Sequence, residues 1–183
     1  YSSNIGATKI VEIIGPDVLH KKLLAFGFGS RTRVGCPGET PGLLTSARKW
    51  SKIDASNISF GQGLSVSAVQ LISAVSAVAN KGRLMQPLLI KKVMANTGQA
   101  VRVNRPRAIR QVLSPHTADQ VKWMMNLVVQ EEGTGTQAAL PQYAVCGKTG
   151  TAQKALKKKR GYSKDRFTSV FAGFAPKSRP ELA

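Results

Sequence analysis

Cysteine is nearly absent from this sequence, which contains only Cys36 and Cys146. Two cysteines are too few for the disulfide framework of a small secreted scaffold. Cys146 follows a valine in an apolar segment, so we expect its side chain to be small and buried. A Cys36–Cys146 bridge is the alternative in an oxidising compartment. No metal ligands and no cofactor are expected.

Acidic residues are also scarce. Nine Asp and Glu against 27 Lys and Arg give a formal charge of +18, which raises nucleic acid as a partner. The basic residues are spread along the chain, however, and their densest run extends from Lys154 to Arg166. An anionic envelope or membrane surface is an equally good electrostatic partner, so no nucleic acid is expected. A basic binding module without catalysis is kept as one alternative function.

Long uncharged apolar runs are missing, so neither a signal peptide nor a transmembrane helix is expected within these residues. At 183 residues and 42% hydrophobic composition, the chain can still bury one sizeable core. These features favour one domain or part of one.

A central helix is predicted over residues 67–81. Ser67 and Gln70 have the Ser-x-x-Gln spacing of a capping box, and the segment that follows is alanine-rich and nearly free of charge. Residues 30–66, in contrast, have many Gly, Pro and Ser and few periodic patterns, which predicts long surface connections. The helix is expected to bury Leu71, Ile72, Val75, Val78 and Ala79.

The segment from Gly147 to Ala152, with the sequence Gly-Lys-Thr-Gly-Thr-Ala, is the most informative stretch. It continues an apolar run that begins at Tyr143, so we predict a strand over 143–151. Glycines without a Cβ let another backbone or a substrate come close to this strand. Lys148 adds a cation and the neighbouring threonines add hydroxyls, which suits an extended peptide that ends in a carboxylate.

A Ser-x-Asn motif at Ser2 and Asn4 precedes a predicted helix, and Ser-x-Asn and Lys-Thr-Gly belong to one catalytic motif set. The sequence resembles the transpeptidase domain of class B penicillin-binding proteins, most closely the division-type (septal) peptidoglycan D,D-transpeptidases. The resemblance covers nearly the whole chain in the family's order. Besides the two motifs it includes Phe60-Gly61-Gln62-Gly63, Asn80-Lys81-Gly82, Glu132-Gly133-Thr134-Gly135-Thr136 and Phe171-Ala172-Gly173-Phe174-Ala175-Pro176.

The resemblance implies an α/β (α+β) fold in which helices flank an antiparallel sheet. Strands 143–151 and 167–175 are expected to pair in that sheet, and residues 153–166 to form a mobile loop beside the cleft. Residues 1–183 are expected to be a partial transpeptidase domain. By this reading the domain is incomplete at both ends, because the upstream Ser-x-x-Lys segment and the last strand of the family are absent.

The resemblance also implies roles for individual residues. Ser2, Asn4 and Lys148 are the catalytic candidates: the Ser2 hydroxyl relays a proton, the Asn4 amide contacts the substrate backbone, and Lys148 supplies positive potential. Thr149, Gly150 and Thr151 are expected to bind substrate. The backbone N–H of Thr151 is expected to be one half of the oxyanion hole.

The nucleophile is expected to be missing from this chain, because nothing with the Ser-x-x-Lys pattern precedes Ser2. The only such pattern, Ser46-Ala47-Arg48-Lys49, lies downstream of Ser2 in a predicted surface connection and is interpreted as a chance match. The parent protein is therefore predicted to be a serine-type enzyme, and this chain alone is predicted to be inactive.

The function that the resemblance implies is cross-linking of peptidoglycan stem peptides by serine acyl transfer, in septal wall synthesis. The implied partners are stem peptides ending in D-Ala-D-Ala, β-lactam antibiotics and membrane proteins of the division machinery. The implied location is the inner membrane, with the catalytic domain on its periplasmic side. A D,D-carboxypeptidase, or a β-lactam hydrolase or sensor of the same fold, is the alternative.

Overall fold

The computed structural model describes residues 2–156 and 161–183. The predicted mobile loop at 153–166 falls partly on residues 157–160, which lie outside the described residues. In the described ranges no helix has the length and apolar character needed to cross a membrane.

The described residues contain five α-helices, and most of them begin at a capping signal of the sequence. Ser67 accepts the N3 backbone N–H while the Gln70 side chain accepts from the Ser67 N–H, so the predicted capping box is confirmed. Ser114 caps another helix, and the proline after it occupies the first helical turn. The helices are α1 (Asn4–Ile14), α2 (Pro16–Ala25), α3 (Lys52–Ser59), α4 (Ala68–Ala79) and α5 (Pro115–Leu127).

In the part of the chain that the structure describes, six strands pair as three antiparallel two-stranded sheets, in the order β1–β4, β2–β3 and β5–β6. The mixed helix-and-strand fold with antiparallel pairing agrees with the predicted fold class. The strands are β1 (Arg83–Met85), β2 (Lys92–Met94), β3 (Ala100–Val103), β4 (Ala108–Gln111), β5 (Cys146–Ala155) and β6 (Tyr162–Phe174).

The β5–β6 hairpin is longer at its far end than the sequence predicted. The strand predicted over 143–151 begins at Cys146, and pairing continues from Cys146 opposite Phe174 to Ala155 opposite Tyr162. The loop prediction for 153–166 was therefore wrong at both ends, since backbone pairing reaches Ala155 on one strand and Tyr162 on the other. Like charge weakens a hairpin only slightly when its side chains face solvent, and the ladder hydrogen bonds outweigh it.

The region 30–66 is more ordered than the prediction of surface connections allowed. Helix α3 begins with a capping box between Ser51 and Asp54, and its residues Ala55 and Ile58 are buried. A short 3₁₀ turn with Ser46 at its N-cap precedes it. The prediction failed because a single 3₁₀ turn and an eight-residue helix are too short to show a helical periodicity among many glycines and serines.

Helix α4 lies at the centre of the molecule. Ala77 packs with Leu84 of β1, while Val78 packs with Cys146 and Phe174 of the β5–β6 hairpin. Of the residues predicted to be buried on this helix, Val78 is buried and the other four are half-buried. Residues Leu71 and Ile72 face an open apolar groove beside β6 rather than the core.

Gln70 is a polar residue of the core and is almost completely buried. Its amide Nε2 donates to the carbonyl oxygens of Ser30 at 2.8 Å and Pro41 at 2.9 Å, while its Oε1 completes the helix cap. A buried amide is tolerated because each polar atom has a partner. Gln70 thereby ties the connection after α2 to the central helix.

Candidate active site

The start of α1 positions the Ser-x-Asn motif. Ser3 is the N-cap, and its Oγ accepts a hydrogen bond from the Gly6 backbone N–H at 3.0 Å. This cap satisfies one of the free N–H groups of the first turn and sets the direction in which the chain enters the helix. Ser2 and Asn4, on either side of the cap, both line the cleft between α1 and the β5–β6 hairpin.

Lys148 joins the two distant motifs. Its Nζ donates hydrogen bonds to Ser2 Oγ at 2.9 Å and to the carbonyl oxygen of Thr149 at 2.9 Å. Partial removal from water lowers the pKa of Lys148, although the side chain remains accessible from the cleft. The cleft thus contains an ammonium group that gives up its proton more readily than a free lysine and that is already bonded to a hydroxyl.

Thr149 is bonded to a residue that the sequence analysis did not include in the site. Its Oγ1 lies 2.9 Å from Thr134 Oγ1, in the Gly-Thr-Gly-Thr segment between α5 and β5. The sequence analysis assigned no role in the site to that segment. The signal that could have found Thr134 was its place in one of the segments on which the family resemblance was based.

Gly147 has a different role from the one predicted. A Cβ at Gly147 would overlap the ring of Phe171, which packs over the strand from β6. The space freed by this glycine is therefore filled by an aromatic ring of the same hairpin, not by a substrate. Gly150 is similarly close to a Val170 methyl group, at 2.9 Å from an added Cβ. Both glycines let β6 side chains lie across β5 and form one wall of the cleft.

The cleft has a volume of about 1230 Å³ and is open to solvent. All six residues predicted for the site line it, although the two motifs are far apart in sequence. Phe60, at the end of α3, and Ser169, opposite Thr151 in the hairpin, also reach it and were not predicted. The predicted members that line the cleft are Ser2, Asn4, Lys148, Thr149, Gly150 and Thr151.

Ser46 lies elsewhere. It is exposed at the start of the 3₁₀ turn and is not among the residues that line the cleft. The predicted surface connection contains a short 3₁₀ turn at this point, formed by Ala47 to Lys49. Its position outside the cleft agrees with its interpretation as a chance match to Ser-x-x-Lys.

The cysteines are both free, with Cys36 exposed and Cys146 buried. The Cys146 Sγ donates to the Lys122 carbonyl oxygen at 3.3 Å, and burial raises the pKa of its thiol. Cys146 is thus a packing residue beneath the Lys-Thr-Gly strand, as predicted, and the Cys36–Cys146 bridge does not form.

Comparison with known proteins identifies the class to which this fold and cleft belong. Residues 1–183 match the penicillin binding protein transpeptidase domain, and the chain belongs to that family. It is 40% identical over 185 residues to penicillin-binding protein PbpB of Mycolicibacterium smegmatis, and the match covers 98% of this chain. It is 38% identical to the probable peptidoglycan D,D-transpeptidase PbpC of Pseudomonas aeruginosa, in a match that covers 99% of this chain.

Solved structures agree with this assignment. Penicillin-binding protein 3 from Mycobacterium tuberculosis, crystallised in its apo form, superposes with a TM-score of 0.92 at 37% identity over 98% of this chain. The same protein has been crystallised with ampicillin and with aztreonam. This chain spans 41% of the crystallised polypeptide and 28% of the length of the M. smegmatis relative.

Proposed function

We propose that the residues lining the cleft between α1 and the β5–β6 hairpin form one side of the active site of a class B peptidoglycan D,D-transpeptidase. The observation that carries the proposal is the 2.9 Å hydrogen bond between Lys148 Nζ and Ser2 Oγ, which places a cation with a lowered pKa against a hydroxyl at the edge of the Lys-Thr-Gly strand. A hydroxyl beside such a group can pass a proton to a leaving amine, which acyl transfer from an amide requires.

The proposed reaction has two steps. A serine hydroxyl attacks the penultimate D-Ala carbonyl of a stem peptide, the C–N bond breaks, and the terminal D-Ala departs with a proton relayed through Ser2. The amino group of a second stem peptide then attacks the ester, forms the new amide and returns the serine hydroxyl. Lys148 stabilises the negative charge that develops in both steps.

Substrate recognition is assigned to the strand. Thr149 and Thr151 bind the terminal carboxylate of the stem peptide through their hydroxyls, and the Asn4 amide contacts its backbone. The Thr151 backbone N–H donates to the oxyanion, and one such donor contributes on the order of 3 kcal/mol to transition-state stabilisation. Gly150 leaves room for Val170, which forms part of the cleft wall beside this edge.

We further propose that the nucleophile belongs to a Ser-x-x-Lys segment outside the 183 residues. Two facts support this: the one such pattern inside the chain is at Ser46, away from the cleft, and the relatives are much longer than this chain. The 183-residue polypeptide by itself should then lack acylation activity.

Partners and location follow from the same proposal. β-lactams would occupy this cleft as carboxylate-bearing mimics of the stem-peptide terminus, as ampicillin and aztreonam were crystallised with the M. tuberculosis relative. The domain would lie on the outer side of a cytoplasmic membrane, in septal wall synthesis with membrane proteins of the division machinery.

The test is to locate the covalent adduct after incubation with a fluorescent penicillin. Intact-mass measurement and peptide mapping of the full-length protein should show one adduct on a serine outside residues 1–183, and the 183-residue polypeptide should show none. An adduct on Ser2 or Ser46 in either polypeptide would contradict the proposal.

The acceptor is tested separately, because an amine and water give different products from the same ester. Incubation of the full-length protein with a D-Ala-D-Ala peptide and an acceptor amine should yield the cross-linked amide in excess over the hydrolysed acid. Predominant hydrolysis would instead favour the carboxypeptidase alternative.

A further inference from the structure

The β2–β3 arm, residues 88–105, stands away from the catalytic cleft. In the described residues its strands pack closely only on each other, and each strand pairs on one side only. A strand edge without a neighbour presents unpaired N–H and C=O groups that can accept another strand. Arg102 and Asn104 brace the base of the arm: Arg102 Nε donates to Asn104 Oδ1, and Asn104 Nδ2 donates to the Ile90 carbonyl oxygen at 2.7 Å.

The arm exposes aliphatic side chains on both of its strands. Val101 alone is 70% exposed, and its neighbours on both strands are also in contact with solvent. Contiguous exposed apolar groups of this kind mark interaction sites. The exposed aliphatic residues of the arm are Leu88, Leu89, Ile90, Val93, Met94, Val101 and Val103.

The charge of the arm is entirely positive. No acidic residue occurs between Asp54 and Asp119, so nothing on the arm or close to it in sequence neutralises its cations. Among the residues that the structure describes, none of the arm's cations forms a salt bridge. These cations are Lys91, Lys92, Arg102 and Arg105.

Cation and aliphatic groups are combined on both faces of the arm. Lys92 is opposite Val103, and Val93 is opposite Arg102, and these two cross-strand pairs lie on opposite faces because successive side chains alternate. A lipid surface could contact only one face at a time. The arm also has no Trp, Tyr or Phe, the residues that anchor proteins at membrane interfaces.

From these relationships we propose that the β2–β3 arm is a docking edge for a partner protein, which adds an extended strand of alternating acidic and aliphatic residues. Beside β2, such a strand places an acid next to Lys92 on one face and an aliphatic group next to Val93 on the other. Beside β3, the added strand places an acid next to Arg102 on one face and an aliphatic group next to Val103 on the other. The added strand satisfies the free backbone edge, and its side-chain alternation complements both faces.

The probe is a fluorescent eight-residue peptide of alternating Glu and Val, titrated into the full-length protein with fluorescence anisotropy as the readout. The Lys92→Glu/Arg102→Glu variant should weaken binding by about tenfold or more. The matched control is Lys21→Glu/Lys52→Glu, which changes the net charge equally at exposed sites on α2 and α3 and should leave the affinity unchanged.

Two further measurements separate strand addition from other modes of binding. A peptide N-methylated at every residue keeps its charge but loses its backbone donors, and it should not bind. Any binding of the full-length protein to anionic lipid vesicles should be the same with and without the Lys92→Glu/Arg102→Glu substitutions. The proposal is overturned if the Glu–Val peptide does not bind, if both double variants weaken it equally, if the methylated peptide binds as well, or if the arm binds vesicles instead.

Discussion

Lys148 Nζ lies 2.9 Å from Ser2 Oγ, although the two residues are 146 positions apart in sequence. Ser2 lies just before helix α1 and Lys148 lies on strand β5, so the contact depends on the fold that packs the start of the chain against the β5–β6 hairpin. The proton relay proposed for this cleft exists only in the folded protein.

Thr134 should influence acylation without touching the reacting carbonyl. Its hydroxyl is bonded to Thr149 Oγ1, the group assigned to the substrate carboxylate. We expect Thr134→Val to lower the acylation rate constant for benzylpenicillin about fivefold, which corresponds to the loss of one hydrogen bond worth about 1 kcal/mol. Thr134→Ser keeps the hydroxyl and should retain most of the rate, and equal rates in Thr134→Val and the unchanged protein would contradict this assignment.

Gly147→Ala should destabilise the protein, because the added methyl group would overlap the Phe171 ring. Overpacking of this kind costs about 1–3 kcal/mol in the free energy of unfolding, measurable by urea denaturation. Phe171→Leu in the same chain should recover part of the loss. Gly6→Ala is the matched control: its Cβ makes an ordinary contact with Ser3 at 3.4 Å inside a helix, so stability should be unchanged or slightly higher.

The two cysteines should differ sharply in reactivity. Cys36 is exposed, while Cys146 is buried and burial raises the pKa of its thiol, so the Cys146 thiolate is both rare and inaccessible. In the native protein we expect a thiol reagent to modify Cys36 rapidly. Cys146 should react more slowly by a factor on the order of 10² or greater, until denaturant opens the core. If neither cysteine reacts in the native protein and both react only after reduction, the result would point to a Cys36–Cys146 disulfide instead.

Asp119 should contribute a pH-dependent part of stability. Its carboxylate lies 2.7 Å from the Lys122 ammonium, whose hydrogen bond and charge lower the pKa of Asp119 in the folded state. A carboxyl with a lowered folded pKa stabilises the protein above its unfolded pKa, about 3.9, and loses this contribution as the pH falls through the folded value. The unfolding free energies of the wild-type and Asp119→Asn proteins should therefore differ at about pH 6, and the difference should shrink as the pH falls below the unfolded pKa and through the folded one. A difference that stays constant over this range would contradict the pairing.

Much of the fold was predictable where local signals act alone. The cap at Ser67 with Gln70 and the Lys-Thr-Gly strand were both found from residue type and spacing. Helix α3 was missed because it is only eight residues long, and its burial depends on contacts with α1 that sequence periodicity does not report.

The site residues were predictable as a set only through the family resemblance, since nothing local connects Ser2 with Lys148. Two details depended on tertiary packing and were not predictable. Phe171 fills the space above Gly147, and Thr134 reaches Thr149 from a separate segment. The first follows from the register of β5 against β6, which the sequence of either strand leaves open, and the second from how the segment between α5 and β5 packs on the hairpin.

The most direct test of the proposed active site is the rate of acylation by benzylpenicillin in Lys148→Met, followed by intact-mass measurement in the full-length protein. Loss of the ammonium that bonds to Ser2 should reduce the second-order rate constant by about 10²–10⁴-fold, the range for a positioned proton-transfer group. Lys21→Met, at an exposed site on α2, is the matched control and should acylate at the unchanged rate. A folded Lys148→Met protein that acylates as fast as this control would contradict the assignment of Lys148 and Ser2 to catalysis.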